Sequence, residues 1–395
     1  MARSARWARV AAAAIAVAAL TGLGIVTTRA DTPAKVVLAP SVLPAPDPAA
    51  TGDCSLRLVA GGDGLVEGND ASGSGTDDKA KAYPKQLLEE HLQKAPGPWC
   101  LYNTSGDKVT SGGYYADGNP TQQSLANDLD PALITLTLGR ENTGIFAHVD
   151  TCLDFIRDHD FIEANVCALA VFAAQPIYNS LHDDLSNILN GYRVQQDGNP
   201  NLVVAVTGYF NPYPSATDVA TKIPGFCSNL VDVIPTCLIR WLLLIPALVT
   251  LDLVVKKLNT TVEEVVHEFE VASQGRFVFV NPYDKFKGHC MEMDVRIDIS
   301  VYHPTNTVDM HNTDKDMGCD TDSWVGSDGD IGTKLPLLYL APAVTGVLLT
   351  AIQTTRNMGL YPNEKGHDCI SDLIWEAVKI KLGVPEPPAS SVCEG

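Results

Sequence analysis

A chain of 395 residues with ten cysteines and a formal net charge of −19 at pH 7 is long enough for one large domain or two small ones. Nucleic-acid binding needs clustered Lys and Arg, so the acidic balance argues against a nucleic-acid partner and against electrostatic adsorption to anionic lipid. The sequence contains no CxxC pair, and an even cysteine number in an exported chain favours disulfides. We therefore expect no metal site and no cofactor.

The N-terminal segment has the pattern of a secretory signal peptide over residues 1–30. Three arginines precede the apolar run Val10–Leu20, and Thr28-Arg29-Ala30 offers a small-residue cleavage site. A retained membrane anchor is the alternative interpretation. Residues 31–53, rich in Pro, Ala and Thr, are interpreted as a linker, residues 54–385 as the folded domain and residues 386–395 as a C-terminal tail. The sequence therefore predicts a secreted, extracellular protein.

Short apolar runs alternate with helical patterns along the folded domain. The runs that predict buried strands are Leu56–Ala60, Leu133–Leu138, Leu202–Thr207 and Phe277–Val280. The patterns that predict helices are Tyr83–Gln93, Leu181–Asn190 and Thr261–Ala272. Such alternation predicts an α/β fold, a three-layer sandwich with a mostly parallel central sheet, here stabilised by disulfides.

Two further apolar segments need an interpretation of their own. Trp241–Leu251 is too short to span a bilayer and contains Pro246, so we interpret it as a buried helix. A lid over a lipid site is the alternative. Leu335–Ile352 contains two prolines and a glycine and is interpreted as a loop followed by a core helix. No stable membrane span is therefore expected after signal cleavage.

The ten cysteines allow many pairings, and the sequence does not decide among them. Short spacings favour Cys152–Cys167 and Cys227–Cys237. One set that uses all the cysteines is completed by Cys54–Cys100, Cys290–Cys319 and Cys369–Cys393.

Glycine-containing and aromatic segments follow the predicted strands. Gly61–Gly64 follows the first strand, Gly139–Gly144 the second and Tyr209–Pro214 the third, while Gly106 lies in a loop between the first two. Because ligands of parallel α/β sheets bind outside the carboxyl ends of the strands, we expect these segments to form one functional rim.

Several short blocks occur in a characteristic order along the chain. They are Gly62-Asp63-Gly64 with Ala82-Tyr83-Pro84, then Ser105-Gly106, Gly139-Arg140-Glu141-Asn142, Asn281–His289, and Tyr361-Pro362-Asn363 followed by Gly366-His367. Their order and spacing resemble those of secreted SGNH (GDSL-type) hydrolases, and the resemblance covers nearly all of the chain after Cys54. It implies a fold in which a serine attacks an ester carbonyl, a histidine accepts its proton, and backbone N–H groups with an asparagine hold the oxyanion.

The departures from that pattern fall on the chemistry. Gly64 stands at the serine position, Tyr361 at the histidine position and Glu141 at the asparagine position. Glycine has no nucleophile, tyrosine with a pKa of about 10 is a poor base, and ionised glutamate cannot donate a hydrogen bond. Asn142 could supply the oxyanion donor if the loop is shifted by one residue.

Other polar residues near these blocks have simpler interpretations. Ser72 and Ser74 are expected in a solvated loop, and His289 and His303 are not assigned a catalytic role. His367, with Asn363, is expected at the first turn of the last helix, as a surface or packing residue. A pair of carboxylates, Asp63 with Glu141, could in principle activate water as in glycoside hydrolysis.

The sequence thus leads to three functional hypotheses. The first is a degenerate, non-catalytic relative of esterases and lipases that binds an acyl, lipid or glycan ligand in the old cleft. The second is an active carboxylic-ester hydrolase with a non-standard nucleophile. The third is a structural extracellular protein with a filled cleft. The oligomeric state is left open.

Overall fold

The structure is a computed structural model, and it describes residues 54–68, 71, 78–106, 109–116, 121–140, 152, 161–212, 215, 234–287, 289, 294–303, 306–314, 330–333, 348–356, 361–384 and 393. The predicted signal peptide and linker lie outside these residues. Of the predicted tail, the structure describes Cys393 alone.

A five-stranded parallel sheet forms the centre of the fold, in the order β2-β1-β3-β4-β5. Its strands are β1 (Leu56–Gly62), β2 (Trp99–Asn103), β3 (Leu133–Thr137), β4 (Val203–Thr207) and β5 (Phe277–Val280). Every residue of β3 and β4 is buried, as expected for strands that are covered on both faces. All four strands predicted from apolar runs are confirmed, and β2 is an additional edge strand.

Helices flank this sheet on both faces, which confirms the predicted α/β sandwich. In chain order they are α1 (Gly64–Glu67), α2 (Tyr83–Gln86), α3 (Ser111–Ala116), α4 (Gln122–Asp128), α5 (Phe161–Ala173), α6 (Gln175–Gly198), α7 (Ile234–Ala272) and α8 (Glu364–Val378). The predicted helix Tyr83–Gln93 is α2 continued by a π-turn at Leu87–His91 and a 3₁₀ turn at Leu92–Lys94. Trp241–Leu251 and Thr261–Ala272 are parts of one 39-residue helix, α7, which contains Pro246.

A second, four-stranded antiparallel sheet was not expected from the sequence. It consists of β6 (Asp294–His303), β7 (Asn306–Asp314), β8 (Asp330–Thr333) and β9 (Leu348–Arg356), in the order β7-β6-β9-β8. The core helix expected at the end of Leu335–Ile352 is therefore wrong for residues 348–352. These residues pair with β6, and the rest of β9 is rich in Thr, which favours strands. Both sheets fall within residues 54–385, whose assignment to one domain stays a prediction.

Three of the proposed disulfides are confirmed: Cys54–Cys100, Cys152–Cys167 and Cys369–Cys393. The first ties β1 to the edge strand β2, and the last ties the C-terminal segment to α8. The other two pairs involve Cys227, Cys290 and Cys319, which lie outside the described residues, and they stay predictions. In the part of the chain that the structure describes, no helix is both long and apolar enough to cross a bilayer.

Candidate functional site

The turn after β1 has the backbone of a strand-to-helix elbow. Gly62 has φ +137°, and a Cβ there would lie 2.1 Å from the carbonyl oxygen of Thr137, so only glycine fits. Asp63 follows, fully buried, and its Oδ1 accepts the N–H of Leu65 at 3.1 Å to cap α1. Gly64 is the first residue of α1 and has helical backbone angles that a serine also adopts.

Asp63 is joined to the loop after β4 by a second hydrogen bond. The hydroxyl of Tyr209 donates to Asp63 Oδ2 at 2.5 Å, and the N–H of Arg140 donates to the Tyr209 oxygen at 3.0 Å. Burial and the neighbouring Asp63 carboxylate raise the pKa of Tyr209 well above its usual value, so the phenol stays a donor. Both oxygens of Asp63 therefore accept hydrogen bonds from protein groups. These bonds give Asp63 a structural role in the turn.

The backbone of Tyr209 is held in turn by a buried amide on α7. Asn259 Oδ1 accepts the Tyr209 N–H and Asn259 Nδ2 donates to the Tyr209 carbonyl, each at 2.7 Å. A Cβ at Gly208 would lie 2.7 Å from Asn259 Oδ1, so the residue before Tyr209 must be small. The loop after β4 is thus fixed on two sides.

Arg140, which follows β3, reaches the predicted base position. Its guanidinium carbon lies 3.6 Å from the centre of the Tyr361 ring, a stacked cation–π contact, and only 5% of Arg140 is exposed. Asp63, Tyr209, Arg140 and Tyr361 therefore form one chain of contacts between the carboxyl ends of three strands and the segment before α8. The rim predicted from the sequence brings these residues together.

Gly106, the predicted oxyanion donor after β2, has its N–H directed at another backbone group. It donates to the carbonyl of Gly62 at 3.2 Å, while the side-chain oxygen of Gln122 accepts the Gly62 N–H at 3.2 Å. On the same loop, the hydroxyl of Ser105 donates to Asn103 Oδ1. The loop after β2 is therefore bonded to the elbow.

The two remaining candidates at α8 have structural roles. Asn363 caps the helix, because its Oδ1 accepts the N–H of Gly366 at 3.1 Å. His367 is fully buried, and its Nδ1 accepts the N–H of Tyr83 at 3.2 Å. Burial lowers the pKa of His367 to about 3, so the ring is neutral at physiological pH. His367 is thus a packing residue, one of the two roles expected for it.

Glu141, Asn142, Ser72 and Ser74 lie outside the described residues, and so the predicted pairing of Asp63 with Glu141 stays untested. Among the residues that are described, no group of three or more His, Cys, Asp or Glu side chains could hold a metal ion. Asn259 was not predicted from the sequence as a residue of the site. The one feature of the sequence that could have indicated it is a single amide side chain within the apolar pattern of α7. Asn259 is buried in the structure.

Comparison with known proteins gives weak likenesses only. No protein-family model matches the chain, and no curated protein matches it. Among solved structures, it is similar to an extracellular lipase from Streptomyces rimosus, at 13% identity over 82% of this chain and 100% of that one, with a TM-score of 0.46. It is also similar to phospholipase A1 from Streptomyces albidoflavus NA297, at 13% identity over 82% of this chain and 98% of that one, with a TM-score of 0.44. A catalytic mutant of an acetylxylan esterase from Geobacillus stearothermophilus matches at 11% identity over 85% of this chain and 98% of that one, with a TM-score of 0.38.

Proposed function

We propose that the chain is an exported protein with an SGNH-hydrolase-like fold that binds an acyl, lipid or glycan ligand at the carboxyl edge of its parallel sheet without hydrolysing it. The observation that carries the proposal is the elbow after β1. Gly64 occupies the place of the nucleophile, and its neighbour Asp63 is committed to the N–H of Leu65 and the hydroxyl of Tyr209. The three disulfides support an oxidising, extracellular location.

The position of the general base is likewise unsuited to proton transfer. Tyr361 would have to accept a proton that no serine at position 64 can give. Its ring face is covered by the guanidinium of Arg140, which removes that face from contact with a ligand. A tyrosine in place of histidine also lacks a pKa near neutrality, which efficient general-base catalysis requires.

The candidate oxyanion donors also argue against ester hydrolysis. In ester hydrolysis, preorganised N–H groups must be free to stabilise the tetrahedral intermediate. Here the N–H of Gly106 is engaged by the carbonyl of Gly62 within the elbow itself. Nucleophile, base and one oxyanion donor are thus all compromised, and losing one triad member already costs up to about a millionfold in the well-known subtilisin case.

The rim is nevertheless held in a defined shape, which favours binding over a filled or collapsed cleft. Asn259 fixes the backbone of Tyr209 on both sides. Asn211, two residues further along, donates to Asp252 on α7 at 2.7 Å. Loops held on a rigid scaffold in this way are where binding sites are usually found.

The proposal is tested by measuring hydrolysis of p-nitrophenyl acetate and butyrate by the purified exported protein, together with labelling by a serine-directed fluorophosphonate. Background hydrolysis without labelling is the expected result. Saturable binding of a monomeric short-chain acyl ligand or an acetylated oligosaccharide, measured by titration calorimetry, supplies the positive half of the test. Efficient turnover with one labelled serine would instead support the alternative, an ester hydrolase with a non-standard nucleophile.

A further inference from the structure

A row of carboxylates lies along one face of α8. Glu364, Asp368 and Asp372 follow one another at intervals of four residues, so neighbouring side chains lie one turn apart on the helix surface. Glu90, in the π-turn Leu87–His91, is a fourth carboxylate, and its charge, like those of Glu364 and Asp372, acts on Asp368. We call Glu90, Glu364, Asp368 and Asp372 the α8 carboxylate cluster. Carboxylates this close repel each other when all of them are ionised.

The π-turn also brings a histidine into contact with the cluster. The Nε2 of His91 lies 2.8 Å from Oδ1 of Asp372, and the His91 ring stacks on Trp375 with centroids 5.3 Å apart and an angle of 14° between the planes. The side chains of His91 and Asp372 are only 13% and 15% exposed, so salt and water screen this pair weakly. A π-turn is rare and occurs frequently at functional positions, and this one ends at the residue that meets α8.

The other charged groups around the cluster are few in the part of the chain that the structure describes. Lys81, which precedes α2, pairs with Glu364 at 2.7 Å, and Lys85 of α2 pairs with Glu89 of the π-turn at 3.0 Å. The helix α8 also packs on β4 and β5, which contain no ionisable side chain. These lysines thus pair with glutamates, whereas His91 is the basic group that meets an aspartate of the cluster.

We propose that the α8 carboxylate cluster and His91 form a pH-sensitive latch, which holds α8 against the π-turn at weakly acidic pH and loosens this contact at neutral pH and above. The inference goes beyond the proposed function, because it does not depend on what the candidate site binds. Asp368, in the middle of the row, takes up the proton that relieves the repulsion among the carboxylates. Histidine side chains gain a positive charge between about pH 8 and 5, and such a charge on His91 is attracted to Asp372.

The direction of the effect follows from the pKa of Asp368. Burial, followed by the charges of Glu90, Glu364 and Asp372, raises this pKa to about 6. Because the pKa in the folded state lies above the ordinary value for an aspartate, the stabilising contribution is complete below about pH 4 and is lost as the pH rises through about 6. Acidification therefore tightens the contact of α8. Tyr361 lies three residues before α8, so the latch also restrains the segment that carries this residue of the candidate site.

The test is amide hydrogen exchange of the full exported protein at pH 5.0 and 7.5, with the rates corrected for the intrinsic pH dependence of exchange. Amides of α8 should be at least about fivefold better protected at pH 5.0, while those of α6, measured in the same sample, change little. In Asp368→Asn, protection of α8 at pH 7.5 should rise by about the same factor, because the uncharged amide is not repelled by the carboxylates. Asp197→Asn, at an exposed position of α6, is the matched control and should behave like the native chain.

The substitution His91→Gln tests the other half of the latch, because glutamine keeps a hydrogen-bond donor for Asp372 and cannot gain a proton. The double variant Asp368→Asn/His91→Gln should show equal protection of α8 at the two pH values. Three results would overturn the inference: equal protection of α8 in the native chain at both pH values, a change of the same size in α6, or a pH dependence that survives in the double variant. If the double variant does not fold, Asp368→Asn alone decides, because we expect this substitution to stabilise the chain at pH 7.5.

Discussion

The phenol hydroxyl of Tyr209 donates a 2.5 Å hydrogen bond to Asp63, a residue 146 positions earlier in the chain. This bond joins the elbow after β1 to the loop after β4. Tyr209→Phe removes this hydrogen bond from a fully buried carboxylate. We expect a loss of about 2 kcal/mol in the free energy of unfolding, because hydrogen bonds to charged groups are the strong ones. Urea unfolding followed by circular dichroism measures it.

The control for this variant is Tyr102→Phe, which removes a hydroxyl from a partly exposed residue of the edge strand β2. It should change the unfolding free energy by less than about 0.5 kcal/mol. Equal effects of the two substitutions would show that the Asp63 contact contributes no special stability.

Adding a side chain at two glycines of the elbow should reduce stability by very different amounts. Gly62→Ala places a Cβ 2.1 Å from a carbonyl oxygen at a φ of +137°, so we expect a loss of more than about 3 kcal/mol or failure to fold. Gly64→Ser keeps helical backbone angles and should cost about 1 kcal/mol or less. Thermal midpoints of the two variants, expressed side by side, check the prediction. A stable Gly62→Ala protein would mean that the elbow has a different backbone.

Asp368 on α8 should make stability depend on pH. Burial, with the nearby carboxylates of Glu90, Glu364 and Asp372, raises the pKa of Asp368 to about 6. A raised pKa in the folded state means that the stabilising contribution is present below about pH 4 and is lost as pH rises through about 6. Asp368→Asn should therefore stabilise the protein at pH 7.5 and have little effect at pH 4.

Because Asp368 is half-buried and partly screened, we expect a gain of about 1 kcal/mol at pH 7.5. Chemical unfolding at pH 4, 5.5 and 7.5 measures the effect, with Asp197→Asn on the exposed face of α6 as the control. A gain of the same size at all three pH values would exclude titration of Asp368 as the cause.

Activity should return only when several groups are restored together. Gly64→Ser leaves a hydroxyl without a base, and Tyr361→His leaves a base without a nucleophile, so neither variant should hydrolyse p-nitrophenyl butyrate above background. The combination with Glu141→Asn should give measurable turnover, since triad members act as a unit. If Gly64→Ser alone is as active as the triple variant, another group on the protein serves as the base.

The sequence predicted the parts of the fold that depend on local pattern. The strands next to the elbow are continuous apolar runs, and the turn itself is specified by Gly62 and by Asp63 as a helix cap. The edge strand β2 was missed because only Trp99, Cys100 and Leu101 of its five residues are buried, which leaves a short apolar signal. The helix expected near Ile352 was wrong because β9 is determined by partners distant in sequence.

The sequence predicted which positions belong to the candidate site, but it did not predict the contacts between their side chains. Block order predicted that Gly64, Gly106 and Tyr361 lie on one rim. No local pattern predicts that the Arg140 guanidinium lies over the Tyr361 ring, or that Asn259 forms hydrogen bonds with the backbone of Tyr209. Both contacts depend on how separate elements pack. His367 was expected to be a surface or packing residue, and its hydrogen bond with the Tyr83 N–H was likewise not predicted from the sequence.

The covalent link between Cys54 and Cys100 has a consequence for how copies of the protein meet. Edge strands invite exchange or addition of a strand from a neighbouring molecule. Here β2, at one edge of the parallel sheet, is bonded to the residue that precedes β1, its partner in the sheet. While that bond is intact, β2 cannot leave the sheet to be swapped with another copy. Reduction removes this barrier, and the Trp99–Asn103 edge then becomes the place where oligomers formed by strand exchange would begin.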